Sequence, residues 1–111
     1  MLESHRGPLL VPMLVASEVT YLLRREGGPT VELRFLAELI EGTYEPVPPE
    51  PAEWVRIAEL ATRYRDLPLG TVDASVVALA ERLKIRQIAT LDRKHFSVIQ
   101  PAHVGSFELL P

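Results

Sequence analysis

The chain has 111 residues, the length of one domain, since domains commonly run to about 100–150 residues. It has no cysteine, which excludes a disulfide framework, a thiolate nucleophile and a cysteine-based zinc site. The net charge of −3 lacks the basic excess of most nucleic-acid-binding domains, although a bound cation would offset clustered acids. No apolar run approaches the ~20 residues that span a membrane, and no signal peptide is visible. These features predict a cytoplasmic protein with no membrane segment.

Apolar periodicity and turn residues predict strands that alternate with longer helices. Pro12 stops a first apolar run, Gly27-Gly28 ends the helical period that follows, and Pro29 and Gly42 bound the next helix. In chain order we predict a strand at 9–11, helices at 13–25 and 29–41, a strand at 44–47, helices at 51–65 and 71–83, and strands at 87–91, 97–99 and 107–110. In the helix over 51–65 the predicted apolar face consists of Trp54, Ile57, Ala58, Ala61 and Tyr64. This order is typical of an α/β layered fold with a largely parallel sheet.

Glu18 is a candidate functional residue because of its helical neighbours. The residues one turn before and after it are apolar or aromatic: Leu14, Val15, Tyr21 and Leu22. This pattern predicts a carboxylate on the inward face of the helix, where a charge is costly without a partner. A structural ion pair with a distant arginine, or a place at the rim of the core, would also satisfy the pattern.

Asp73 and Asp92 are the other two candidate acids. Asp73 lies in the first turn of an otherwise apolar helix, on the side of Val76, Val77 and Ala80, where helix amides stabilise an anion. Asp92 directly follows a predicted strand, at the sheet edge where ligands gather in α/β proteins. Thr90 would point to the same side of that strand. A plain helix-start aspartate and a turn aspartate remain alternatives.

Three clustered carboxylates need a counter-charge, since two of them about 4 Å apart repel by roughly 4 kcal/mol at an effective dielectric of 20. Mg²⁺ or Mn²⁺ suits an all-oxygen site and can activate water for phosphodiester hydrolysis. The three histidines, His5, His95 and His103, lack the close spacing of zinc ligands.

Three segments in this order resemble the PIN domain, and more narrowly the VapC-type toxins of toxin–antitoxin pairs. They are Ser17-Glu18-Val19, the run Asp66-Leu67-Pro68-Leu69-Gly70-Thr71-Val72-Asp73-Ala74-Ser75, and Ala89-Thr90-Leu91-Asp92-Arg93-Lys94-His95-Phe96. The resemblance extends to the closing Phe107-Glu108-Leu109-Leu110-Pro111. It implies a single domain over 1–111 with a three-layer α/β/α sandwich and a mostly parallel sheet.

The same resemblance implies a Mg²⁺- or Mn²⁺-dependent ribonuclease. Its metal ligands would be Glu18, Asp73 and Asp92, with the Thr90 hydroxyl near the metal. It also implies a homodimer and an antitoxin that places a basic side chain into the acidic site. The family's first strand, which ends in a further aspartate, has no counterpart before Leu9, so the domain is expected to be N-terminally incomplete and Met1 to fall within the family's next helix.

Two hypotheses about function follow. The first is a toxin-type endoribonuclease that cleaves RNA by metal-activated water, with Arg24, Arg25, Arg93 and Lys94 as candidates for phosphate contact or as ordinary solvated charges. The second is a catalytically inactive PIN-like interaction protein that binds an antitoxin or a homologue, because one acid of the family's four is absent.

Overall fold

The computed structural model describes residues 2–3, 9–66, 70–85, 87–89 and 108–110, with side chains over 9–66 and 70–85. Its elements in chain order are β1 (Leu2–Glu3), β2 (Leu9–Pro12), α1 (Met13–Gly27), α2 (Pro29–Glu41), β3 (Tyr44–Val47), α3 (Pro51–Arg63), α4 (Thr71–Leu83), β4 (Gln87–Ala89) and β5 (Glu108–Leu110). The predicted bounds of α2, β3 and α4 are confirmed. The predicted strand at 97–99 lies outside the described residues.

The five strands form one sheet in the order β3-β2-β1-β4-β5. The longer pairings are parallel: β2 with β3 from Leu9↔Tyr44 to Pro12↔Val47, and β4 with β5 from Gln87↔Glu108 onwards. Because β1 is antiparallel to both β2 and β4, the other four strands all point the same way. The carboxyl ends of β2, β3, β4 and β5 therefore lie at one edge of the sheet, and the α/β class is confirmed.

The central strand β1 was not predicted, since the resemblance placed the start of the chain within a helix. Leu2 pairs with Leu10 of β2 on one side and with Ile88 of β4 on the other. Backbone groups in the middle of a sheet must be satisfied, which favours an extended partner over a helical one at this position. The predicted helix at Met1 is therefore wrong as far as Leu2–Glu3 is concerned.

The helices form two contacting pairs, α1 with α2 and α3 with α4, and one helix of each pair contacts β2. The chain turns sharply between α1 and α2, where Gly28 has φ +81° and a Cβ on Gly27 would meet Cγ2 of Val31 at 2.6 Å. On α2, Phe35 is buried and its ring lies 5.5 Å from that of Tyr44 on β3. The second pair, α3 and α4, contains most of the hydrophobic core of the described residues.

This core is built around α4, which buries the seven consecutive residues Ala74–Ala80. Ile57 and Leu60 of α3 pack against it, and Leu10 of β2 and Val47 of β3 extend it towards the sheet. A helix buried on all sides needs neighbours on several faces, and α4 contacts α3, α1 and β2. No helix among the described residues is long and apolar enough to cross a membrane.

The predicted apolar face of α3 is wrong in part. Trp54 is 47% exposed and Ala58 is exposed, whereas Glu53 is buried together with Ile57 and Leu60. The physical reason is that Glu53 pairs with Arg82 on α4, so the charged side chain can face the neighbouring helix while the indole faces solvent.

Candidate active site

Two of the predicted site residues lie on helices that contact each other. Glu18 is in the second turn of α1, which follows β2 without a loop, and Asp73 is in the first turn of α4. The two helices are in contact. The fold therefore brings together two acid-bearing helices from parts of the sequence more than fifty residues apart.

Glu18 is exposed, so the prediction that it projects from a buried face is wrong. Tyr21 and Leu22, its neighbours one turn on, are 64% and 41% exposed. The physical reason is that α1 has two apolar sides. The side that packs carries the buried Ala16, about 200° around the helix from Glu18 at ~100° per residue. The carboxylate is thus accessible to a solvent-borne ligand.

Asp73 is half-buried, in agreement with the expected inner side of α4. Gly70, in extended backbone, precedes the helix as its N-cap and accepts a hydrogen bond from the Ala74 amide at 3.0 Å. In the first turn, the free amides and the helix dipole stabilise a negative charge. Asp73 also takes part in a polar interaction in the structure, so it is not a free carboxylate.

Thr90 and Asp92 lie outside the described residues. The described part of β4 ends at Ala89, one residue before Thr90. Because β2 and β4 point the same way, their carboxyl ends lie at the same edge of the sheet, where α1 with Glu18 follows β2 and where Asp92 is predicted. With β1 between them, the two strands are separated by about 9–10 Å.

Within the described ranges, no three histidine or acidic side chains come close enough to hold a metal ion. The donor chemistry of the two described candidates nevertheless fits a hard divalent cation. Glu18 and Asp73 supply carboxylate oxygens only, which Mg²⁺ and Mn²⁺ prefer over nitrogen or sulfur.

The described arginines predicted as phosphate contacts both have acidic neighbours. The Nη1 atom of Arg24 donates to Oε1 of Glu32 at 3.0 Å, joining α1 to α2, and Arg25 lies 3.6 Å from Glu26. Both arginine side chains are 64% exposed. Surface pairs of this kind are weak and leave the cations available to another anion. Arg93 and Lys94 lie outside the described residues.

The structure also contains a group of charges that the sequence did not reveal, the α3–α4 ion-pair cluster. Its members are Glu50, Glu53, Arg56, Glu81 and Arg82. Arg56 donates from Nε and Nη2 to the two carboxylate oxygens of Glu81 at 2.7 and 2.8 Å. These hydrogen bonds raise the pKa of Arg56 above its ordinary value. Charges at helical spacing ordinarily indicate a solvated face, so the sequence carried no signal for this pairing.

Comparison with known proteins assigns the chain to a family. The chain matches the PIN domain family over residues 1–100. It therefore belongs to the PIN domain family, as the resemblance predicted.

A curated relative indicates which type of PIN domain protein this chain resembles. The chain is 37% identical over 110 residues to ribonuclease VapC26 of Mycobacterium tuberculosis (strain ATCC 25618 / H37Rv). The match covers 99% of this chain and 82% of the relative. The predicted resemblance to VapC-type toxins is thereby confirmed.

Proposed function

We propose that this protein is the toxin of a VapBC-type toxin–antitoxin pair and a metal-dependent endoribonuclease. The observation that carries the proposal is the near full-length similarity to a protein named as a VapC ribonuclease. The contact between α1 and α4, which carry two of the predicted acids, supports it independently.

In this proposal Glu18, Asp73 and Asp92 hold Mg²⁺ or Mn²⁺, and the Thr90 hydroxyl lies beside them. When bound, the ion would activate a water for attack on the phosphodiester and offset the negative charge that develops on the phosphate. The exposure of Glu18 leaves room for an RNA strand to reach the carboxylates. Asp73 lies in the first turn of α4, where the helix dipole and the free amides favour a negatively charged ligand over a neutral one.

Asp73→Asn tests the assignment, because it keeps the size of the side chain and removes its charge. We expect at least a ~100-fold loss of Mg²⁺-dependent cleavage of a structured RNA and weaker Mn²⁺ binding by calorimetry, since a ligand charge is lost. Glu41→Gln, at the exposed end of α2, is the matched control and should cleave like the parent.

Equal cleavage by Asp73→Asn and the parent would contradict the role of Asp73. A parent chain that binds Mn²⁺ yet never cleaves RNA would favour the inactive interaction protein instead. Cleavage by this chain that stops on chelation with EDTA would exclude that alternative.

The proposal includes two protein partners, a small antitoxin and a second copy of the chain. In support, large apolar side chains are exposed on the described helices, and such surfaces commonly mark protein interfaces. They include Leu33 and Ile40 on α2, at 61% and 87%, and Trp54 and Val55 on α3, at 47% and 63%.

Co-expression with the antitoxin candidate encoded in the same operon should give a complex that no longer cleaves RNA, because a basic side chain would occupy the acidic site. Sedimentation of the free chain should give twice the 12.4 kDa mass of one copy. A strictly monomeric protein at micromolar concentration would contradict the homodimer.

A further inference from the structure

One exposed face of α1 combines a candidate site acid with an aromatic ring and a cation. Its members, which we call the α1 face, are Glu18, Tyr21, Leu22 and Arg25. Counted around the helix at ~100° per residue, all four lie within an arc of about 100°. Tyr21 and Leu22 are 64% and 41% exposed, and the Arg25 side chain is 64% exposed. The face is therefore open to a ligand along three turns of the helix.

Glu18 lies at the border between the packed side of α1 and this exposed face. Val15, about 60° to one side of Glu18, packs against the core around α4, the helix that carries Asp73. Tyr21 lies about 60° to the other side of Glu18 and faces solvent. A strand that crosses α1 from the side of α4 over Glu18 therefore continues onto Tyr21.

The Tyr21 side chain is a large aromatic group without a partner in the described ranges. It forms no ring contact or hydrogen bond there, although a tyrosine that packs against other residues buries a large area. Residues three apart on a helix have about 5–6 Å between their Cβ atoms, so the ring is a direct neighbour of the Glu18 side chain. A nucleotide held at the Glu18 carboxylate would lie beside the ring.

The position beside Glu18 decides which kind of molecule the α1 face fits. A protein held permanently over Tyr21 would also cover Glu18, so in an active ribonuclease this face has to stay open to the substrate. The exposed apolar residues of α2 and α3 have no such restriction, since neither helix carries a predicted site residue. Every base has a face that stacks on an aromatic ring, and an arginine binds phosphate, so the ring and the cation match a single-stranded nucleic acid.

We propose that Tyr21 stacks on an unpaired base of the substrate RNA and that Arg25 contacts a phosphate of the same strand. Arg25 lies about 10 Å from Glu18 along the helix. Its pairing with the adjacent Glu26, at 3.6 Å between exposed side chains, is weak enough to be exchanged for a phosphate. Tyr21 binds substrate in this scheme and takes no part in the chemistry. The choice of RNA as the ligand rests on the proposed function.

Three variants separate stacking from the other properties of the side chain. Tyr21→Leu removes the ring and keeps an apolar group, whereas Tyr21→Phe keeps the ring and removes the hydroxyl. Trp54→Leu is the matched control, because Trp54 is an exposed aromatic residue of a different helix, α3. The probe is a short labelled oligouridine, whose binding is measured by fluorescence anisotropy. Ca²⁺, which also binds carboxylate oxygens, replaces Mg²⁺ during binding, and a gel checks that the RNA stays intact.

Tyr21→Leu should bind oligouridine at least ~5-fold more weakly than the parent, because one stacked base is lost. Tyr21→Phe and Trp54→Leu should bind it like the parent. A ribose-phosphate strand of the same length without bases should bind equally to the parent and to Tyr21→Leu, since it has no base to stack. Arg25→Gln should lower the slope of log affinity against log salt by about 0.7, the value for one phosphate of a single strand.

Equal affinities of the parent and Tyr21→Leu for oligouridine would overturn the proposal, and so would a parent that binds no oligouridine. An equal loss on the strand without bases would show a structural effect and would also overturn it. If Tyr21→Leu became monomeric in sedimentation without losing RNA affinity, the α1 face would instead belong to a second copy. If Tyr21→Leu does not fold, Tyr21→Gln replaces it, with the same expected loss.

The proposal and the proposed function fail in different ways. Cleavage of RNA with Mg²⁺ by the parent, together with parent-like binding by Tyr21→Leu, would refute the role of Tyr21 alone. The expected binding pattern without any cleavage would refute the ribonuclease activity alone.

Discussion

At the scale of single residues, burial of a charge on α3 depends on one partner. Glu53 is 8% exposed although it belongs to the first turn of a helix whose next residue, Trp54, is 47% exposed. Its side chain also accepts a hydrogen bond from the Glu50 amide at 3.1 Å, half of a capping box. The Glu53 carboxylate thus takes part in the N-terminal cap of α3 and also pairs with the charge of Arg82.

Glu53→Ala should lower the free energy of unfolding by about 2–3 kcal/mol, because it removes the ion pair with Arg82 and the hydrogen bond from the Glu50 amide at a buried position. The loss stays below the ~3–5 kcal/mol of a fully buried pair because Arg82 is 26% exposed and keeps Glu50. Urea denaturation measures the effect. Glu59→Ala, at a side chain 58% exposed, should cost less than about 1 kcal/mol, and equal losses would contradict the role given to Glu53.

At the scale of elements, the turn between α1 and α2 depends on backbone that side chains rarely adopt. Gly28 has φ +81° and ψ −178°, a combination essentially confined to glycine. Its amide donates to the Arg24 carbonyl at 2.9 Å, and its carbonyl accepts from Glu32 at 3.3 Å. The residue therefore ends one helix and begins the next, which sets the angle of the pair that carries Glu18.

Gly28→Ala should destabilise the fold by about 1–3 kcal/mol, the cost of forcing a Cβ into this conformation. Gly70→Ala is a suitable comparison, since Gly70 has φ −86° and an added Cβ there meets no atom within 4 Å. Thermal unfolding of the two variants should show a clearly lower midpoint only for Gly28→Ala. A similar loss in both would mean that φ is not the cause.

At the scale of the whole molecule, burial is unevenly distributed among the described helices. The core lies between α3, α4 and the sheet, whereas α2 buries only Phe35 and exposes an apolar outer face. A protein with large exposed apolar side chains is expected to find partners for them. This asymmetry agrees with a chain that functions in a complex.

Truncation of side chains should reproduce the asymmetry. Leu60→Ala, at a fully buried position in the core, should cost about 2–5 kcal/mol of unfolding free energy because it leaves a cavity. Ile40→Ala, at a side chain 87% exposed, should change stability by less than about 0.5 kcal/mol. If Ile40→Ala proved as costly as Leu60→Ala, α2 would have to be covered by a second copy under the conditions of the measurement.

Local chemistry in the sequence determined the elements. Pro29 and Gly42 bound α2, Pro51 begins α3, and β3 and α4 have the predicted limits, because backbone restrictions act over a few residues. The order of these elements also indicated the α/β class, and three acids with their flanking residues indicated the PIN family. Of the predicted site, Glu18 and Asp73 lie on helices in contact, while the places of Thr90 and Asp92 remain predictions.

Only the tertiary structure decided which side of each helix is buried and which way the central strand runs. Periodicity shows that α1 and α3 have apolar faces, but Glu18 faces solvent and Glu53 replaces Trp54 in the interior, because the neighbouring helices supply the partners. The antiparallel course of β1 is likewise seen only in its pairing with β2 and β4, two strands that are distant from each other in sequence. Such choices depend on contacts between remote segments, which a local pattern does not contain.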